Sequence, residues 1–324
     1  MTSLDGARVL LTGGAGVVGS SLVDQLTVLD LREIVVLDDF SRGSAANLTA
    51  AAAHDVVRVV EGDVRDRKLV EELTRGTDVV FHLAAMRLPH CVEEPRIALE
   101  VMVDGTFNVV DAARHAGVRR VVASSSASVY GAAEQFPIDE THHPYGNRTL
   151  YGAAKVFLEG LLRSYHDAYG VDYVALRYFN VYGPRMDAHS AYVEVLVRWM
   201  QRIDDGLPPV IHGDGSMTMD FVEVSDIARA NLLAAESDVT DIALNIGTGT
   251  ETSLLELAQA LLVAMGSDLE LEYAPPRAIA AVPRRLAATQ RAADAIGFRA
   301  EVGLEEGLDR LVKWWRSAGA PSPT

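Results

Sequence analysis

The sequence predicts a doubly wound parallel α/β sheet followed by a smaller mixed α/β lobe. Three observations predict it. From residue 7 to about 180, short β-branched runs alternate with longer helical stretches, the rhythm of a parallel sheet covered by helices on both faces. The runs are apolar throughout rather than alternating, as strands buried on both sides are. Beyond about residue 180 the rhythm loosens: Pro184, Leu207-Pro208-Pro209, Gly213 and Gly215 break the chain into short pieces.

Taken in order, Val9-Leu10-Leu11 reads as the first strand and residues 17–30 as a helix. Ile34 to Leu37, Val56 to Val60, Val79 to Leu83 and Val118 to Ala123 read as further strands, with helical stretches between them, one near 95–116. The alanine-rich 45–53 reads as helix, Met86 to Cys91 as a loop, and Glu93-Glu94 suits a helix start by the dipole. A helix over 151–169 precedes a strand from Tyr173 to Arg177. In the second part, 190–205, 253–265 and 304–317 read as amphipathic helices, Pro275-Pro276 as a loop, and Ala318 to Thr324 as a frayed tail. The boundary falls at 180: residues 1–180 form one domain and 181–324 mainly the second lobe, with some segments returning to the first. Ligands are expected in the cleft between them.

With 324 residues, 49% hydrophobic and 23% charged, the chain can bury a large core. Lys and Arg total 29 against 45 Asp and Glu, a net charge of −16. That balance argues against an electrostatic grip on nucleic acid or an anionic membrane, while leaving room for a local basic pocket. Cys91 is the only cysteine, which excludes an intrachain disulfide and a cysteine-based zinc cage; no metal is expected. No run of about 18 apolar residues appears, nor a basic-then-apolar amino terminus, so a cytoplasmic protein is expected.

Thr12 to Gly19 reads Thr-Gly-Gly-Ala-Gly-Val-Val-Gly between the first strand and the first helix. Gly13 gives the tight turn, Gly16 the close approach to a pyrophosphate and Gly19 the close packing of helix on strand. The helix start, at Val17 and Val18, offers N–H groups to phosphate. Asp38 ends the second strand nineteen residues after Gly19, where a carboxylate accepts hydrogen bonds from a ribose diol and repels a 2′-phosphate. NAD is therefore favoured over NADP. Asp39, Ser41 and Arg42 beside it, Asp63-Val64 after the third strand and Leu83-Ala84-Ala85 after the fourth complete a Rossmann-type track for the dinucleotide.

Two further segments fall where the nicotinamide should lie: Ser124 to Gly131, and Tyr151-Gly152-Ala153-Ala154-Lys155. A spacing of four sets Tyr151 and Lys155 on one helical face. An ammonium nearby favours phenolate, bringing the phenol toward the range of a base, and the Ser126 hydroxyl is placed to hold a substrate oxygen.

With these motifs in view the chain resembles the extended short-chain dehydrogenase/reductases, in particular their nucleotide-sugar epimerase/dehydratase branch. The resemblance extends over Thr12 to Gly19, Asp38, Gly62-Asp63, His82 to Ala85, Ser124 to Gly131, Tyr151 to Lys155, Arg177 to Pro184 and Gly213-Asp214-Gly215. It implies a tightly held NAD, a Ser126–Tyr151–Lys155 triad and a nucleotide-diphosphate sugar between the lobes. It further implies cofactor contacts from Ser124 and Tyr178 and substrate contacts from Arg87, Asn180, Val210, His212 and Arg277, with His90 a further candidate. A homodimer built on the helices near 95–116 and 151–169 is expected by the same analogy.

Within that branch the reaction is narrowed by what is missing. Dehydratases of the branch carry Asp and Glu directly after the catalytic hydroxyl, and decarboxylases carry Glu at the second position; here those positions are Ala127 and Ser128. The expected outcome is return of hydride to the other face of a 4-keto sugar, which is 4-epimerisation. The alternatives are a dehydratase or other keto-sugar enzyme drawing its acid from His90 or Glu194, and a non-catalytic NAD-binding regulator, which would have no use for a polarised tyrosine. The chain departs from the branch at Met219, where an arginine holds the diphosphate, and at Met102, read as packing; Arg284 and Arg285 join Arg277 as possible phosphate contacts.

Overall fold

The computed structural model describes residues 3–187, 195–276 and 282–317. Its main sheet has seven strands: β1 Arg8–Thr12, β2 Glu33–Asp38, β3 Val57–Glu61, β4 Val79–His82, β5 Arg120–Ser126, β6 Tyr173–Tyr178 and β7 Ile242–Ile246. All pair in parallel in the order β7-β6-β5-β4-β1-β2-β3. Central strands explain the apolar runs. In β1, Val9 and Leu11 enter the core beneath the helices Val17–Leu26 and Val224–Glu236, whereas Leu10 enters the opposite core with Val109, Val110 and Leu158. Both faces are covered, so no polar alternation survives. β3 differs: it is the outermost strand, and none of its residues is fully buried, because it lacks a neighbour on one side.

Helix ends follow local chemistry. Asp66, Thr149 and Ser253 accept from first-turn N–H groups, Ser253 in a capping box with Glu256. Gly117, Gly170 and Gly266 close their helices in left-handed conformations.

Several elements differ from the sequence reading. The first helix ends at Leu26, and 45–53 forms two separate 3₁₀ turns. Residues 86–91 are not all loop, since Leu88–Glu93 is helical; Glu93 closes that helix and Glu94 precedes the next, Pro95–Leu99. The stretch to 116 continues as a π-helical turn, Glu100–Gly105, then the helix Thr106–Ala116. The helix Val224–Glu236 and strand β7, unread in the sequence, return to complete one face and one edge of the sheet.

The remaining core is formed by helices Val195–Asp204, Leu254–Met265 and Leu304–Ser317, which bury Trp199, Met200, Leu257, Leu261, Leu308 and Trp315 together. Three small sheets join them: Asn180–Tyr182 with Phe221–Glu223, Val210–His212 with Glu272–Ala274, and Thr218–Met219 between Thr252–Ser253 and Arg284–Arg285. No helix among the described residues is long and apolar enough to cross a membrane.

Candidate active site

The site begins at the carboxyl end of β1. Gly13 has φ +73°, and a Cβ there would lie 2.6 Å from the Ala84 nitrogen, so the turn and the close approach both require glycine. A Cβ on Gly19 would lie 2.3 Å from the Gly13 oxygen; this glycine lets the helix start directly against the turn. At Gly16 the space is open, its nearest contact being 3.4 Å away. Gly16 heads the helix Val17–Leu26 with no side-chain cap, leaving the first N–H groups and the positive dipole end for a ligand.

That opening leads into a cavity of about 1060 Å³. Gly13, Gly16, Val17, Val18, Gly19, Asp38, Asp39, Ser41, Arg42, Asp63, Val64, Leu83, Ala84, Ala85, Arg87 and His90 all line it. The Asp38 carboxylate accepts from the Ala15 and Phe40 amides at 2.8 and 2.9 Å. Burial pushes its pKa up while these two bonds oppose the rise. Arg42 and Arg87 both approach Asp187, at 3.9 and 3.7 Å.

His82, quoted in the sequence only as part of a motif, has a positioning role there. Burial, aided by the Lys155 charge, pushes its pKa down to about 3, so the ring is neutral. Thr106 Oγ1 donates to the Met102 carbonyl at 2.7 Å and lies 3.0 Å from His82 Nε2; Thr12 Oγ1 lies 2.8 Å from Nδ1. With the Thr106 proton committed, Nε2 donates and Nδ1 accepts from Thr12. The imidazole thus ties the end of β1 to the start of the helix Thr106–Ala116. Met102 itself is core, against Cys91.

β5 and the helix Leu150–Tyr169 bring the chemical groups together. The Ser126 hydroxyl accepts from the Ser128 amide at 3.1 Å and hydrogen-bonds the Tyr151 phenol. Lys155 is buried, its Nζ donating to the Ser124 carbonyl at 2.5 Å and to Ser124 Oγ at 3.2 Å, and lying 5.8 Å from the Tyr151 ring centroid. Burial lowers the Lys155 pKa to about 8. The expectation of an acidified phenol is corrected here: desolvation pushes the Tyr151 pKa up, and the Ser126 hydrogen bond and the charges of Arg285 and Arg42 only partly offset it. Lys155 spends its hydrogen bonds on Ser124 rather than on the phenol.

Other expected contacts lie elsewhere. Tyr178 turns its hydroxyl onto Asn231, which donates to it at 2.8 Å, and does not line the cavity. Asn180 donates through Nδ2 to the Asp220 carbonyl at 3.2 Å. Val210 and His212 belong to the strand paired with Glu272–Ala274, outside the cavity lining. Arg277 and Glu194 lie outside the described residues. Arg284 forms an ion pair with Glu251 and stands half-exposed. The residue the sequence reading passed over is Asp220. Fully buried, its carboxylate accepts from Thr248 N and Oγ1, Gly249 N and Ala287 N, at 2.7–3.2 Å. It fastens the segment after Met219 to the turn beyond β7; its donors are 28 to 67 residues distant, so no local pattern announces it.

A model of the NAD dependent epimerase/dehydratase family matches residues 9–247. The chain belongs to that family. It is 37% identical to a UDP-glucose 4-epimerase of Mycolicibacterium smegmatis, over 96% of this chain and 99% of the relative. Among solved structures, a UDP-N-acetylglucosamine 4-epimerase from Methanobrevibacter ruminantium, in complex with UDP-N-acetylmuramic acid, superposes with TM-score 0.92 at 34% identity, covering 97% of this chain and 99% of that one. A Thermus thermophilus UDP-glucose 4-epimerase in complex with NAD gives TM-score 0.85 at 33% identity, over 97% of this chain and 100% of that one. NAD is the cofactor of the family, and the residues present fit it: an uncapped helix start, an open cradle at Gly16 that a Cβ would fill, and a fixed carboxylate at the end of β2.

Proposed function

We propose that this chain epimerises a nucleotide-diphosphate sugar at C4, with UDP as the nucleotide. The observation that carries the reading is the grouping of Ser126, Tyr151 and Lys155 at the carboxyl end of the sheet, with Ala127 and Ser128 buried where elimination would need acids. NAD, when bound, would supply a reversible hydride acceptor.

The chain's own residues do the rest. The helix start at Val17, Val18 and Gly19 takes the pyrophosphate of the dinucleotide, and Asp38 takes the ribose diol. The Tyr151 phenol exchanges a proton with the C4 hydroxyl; the Ser126 hydroxyl, already bonded to that phenol, holds the substrate oxygen in line. Lys155 keeps a positive charge near the pair while anchored to Ser124. With no carboxylate at 127 or 128, the keto sugar loses neither water nor carbon dioxide and presents its other face instead. Binding energy comes from the nucleotide end, leaving the sugar free to turn.

The same reading places the cofactor domain at 1–180 and the sugar-nucleotide lobe mainly at 181–324. It takes the cytoplasm as the setting, on the acidic composition and single cysteine. It also takes a homodimer as the working form, supported by the exposed apolar side chains of Phe107 and Phe157 on adjacent helices. Incubating the purified protein with UDP-, GDP-, CDP- and ADP-sugars, without added NAD, tests it. Interconversion of C4 epimers is expected; loss of water or carbon dioxide, or no turnover across the panel, would overturn it.

A further inference from the structure

We propose that Glu159, clamped by Arg177, is a positioning residue of the reaction: the pair holds both flanks of the Ser126 hydroxyl and fixes it against the helix that carries Tyr151 and Lys155. The inference rests on the epimerase reading and adds residues that the triad does not include.

The catalytic end of β5 is the part of the sheet that needs such a support. Pairing of β5 with β4 stops at Ala123 opposite His82, whereas β6 continues alongside as far as Tyr178 opposite Ser126. Ser124, Ser125 and Ser126 therefore overhang, with a strand neighbour on one side only. Their other restraint comes from the helix Leu150–Tyr169, where Tyr151, Lys155 and Glu159 are spaced by four and share one face. Lys155 Nζ holds Ser124 at 2.5 and 3.2 Å, and Glu159 Oε1 accepts from Ser125 Oγ at 2.5 Å.

Arg177 fixes that carboxylate in turn. It is the partner of Ser125 on β6, so the two side chains leave the sheet on the same face. Its Nε donates to Glu159 Oε1 at 2.9 Å and its Nη2 to Oε2 at 2.7 Å, a bidentate fork that leaves the carboxylate one orientation. The Arg177 and Glu159 side chains are only 11% and 13% exposed, so little water competes for these bonds.

The other arm of Arg177 reaches past Ser126. Nη1 donates to the Tyr130 hydroxyl at 2.8 Å and to the Glu140 carbonyl at 3.1 Å. Tyr130, fully buried, donates onward to Asn245 Oδ1 at 2.6 Å. Ser126 thus lies between two residues, Ser125 and Tyr130, that are tied to one ion pair. A shielded ion pair adds little stability by itself. One that grips both sides of a catalytic hydroxyl sets geometry, and a misplacement of about 1 Å costs about 10²-fold in rate.

The test compares the wild type with Ser125→Ala, Glu159→Ala and Glu159→Gln. It measures kcat and KM for UDP-glucose, or for the panel sugar that the wild type epimerises, together with bound NAD and affinity for UDP alone. Ser125→Ala, which leaves the ion pair whole, should lower kcat about tenfold, and Glu159→Ala about 100-fold. Glu159→Gln keeps an oxygen for Ser125 and should recover about tenfold of that loss. In each variant KM and UDP affinity should stay within about threefold, with NAD retained. Should Glu159→Ala fail to fold, Ser125→Ala carries the prediction alone. A Ser125→Ala kcat within about twofold of wild type would overturn the inference and leave the epimerase reading standing. Loss of NAD or of UDP affinity in step with kcat would also overturn it, by making the pair a support of the fold alone. Failure of the wild type on every sugar of the panel would remove the epimerase reading, and this inference with it.

Discussion

The two halves of this molecule are organised on different length scales. The cofactor half is built from contiguous segments: β1, the glycine turn and the helix behind it are one unbroken run, and Asp38 is joined to Ala15 by a single hydrogen bond. The second half is assembled from strands of two or three residues gathered from 180 to 285, held by charges such as Asp220 whose partners are far away in sequence. Short-range geometry therefore shapes the glycine turn and its carboxylate, whereas long-range packing shapes the second half, which the proposed function assigns to the sugar nucleotide.

The largest effect separates chemistry from binding. Tyr151→Phe should keep its NAD and lose turnover by about 10³-fold or more; absorbance and mass analysis of the purified variant measure the first, product assays the second. If NAD is lost as well, the two functions are not separable as described. Asp220→Ala should lower stability by about 3–5 kcal/mol in a denaturant titration. A loss below about 1 kcal/mol would mean that the long-range hub does not hold the second half.

Lys155 gives a pH signature within the catalytic helix. Its folded pKa of about 8 lies below the ordinary 10.5. Below pH 8 both folded and unfolded chains carry the proton, and the full penalty of burying the ammonium is present. Between 8 and 10.5 the unfolded chain holds the proton more tightly, so stability gained from this group rises with pH. Measured against Lys155→Met, the wild type should gain up to about 3 kcal/mol across that window; a flat difference would place the ammonium in water. The smallest effect is at Gly16. Gly16→Ala, which meets no protein atom closer than 3.4 Å, should leave the stability of the NAD-free protein within about 0.5 kcal/mol while weakening NAD binding. An equal loss of both would make Gly16 a packing residue.

What the sequence discloses follows the same division. Strand positions, the glycine turn, Asp38 and the groups at 126, 151 and 155 are legible because period, spacing and order encode them. Three features are not. The uncharged Met219 hides the fact that an arginine stands beside it, since the pairing with Arg285 spans 66 residues. The phenol environment depends on burial, which a YxxxK spacing does not report. The helix at 88–93 is obscured by Pro89, which a first turn accepts without penalty.

The most direct test is isotopic. UDP-glucose deuterated at C4 is incubated with the purified protein in ordinary water, with no NAD added. The account predicts UDP-galactose that retains deuterium at C4, because the hydride leaves and returns to the same carbon through the resident cofactor. Inverted product with hydrogen from solvent at C4, or a protein that needs stoichiometric external NAD, would contradict it.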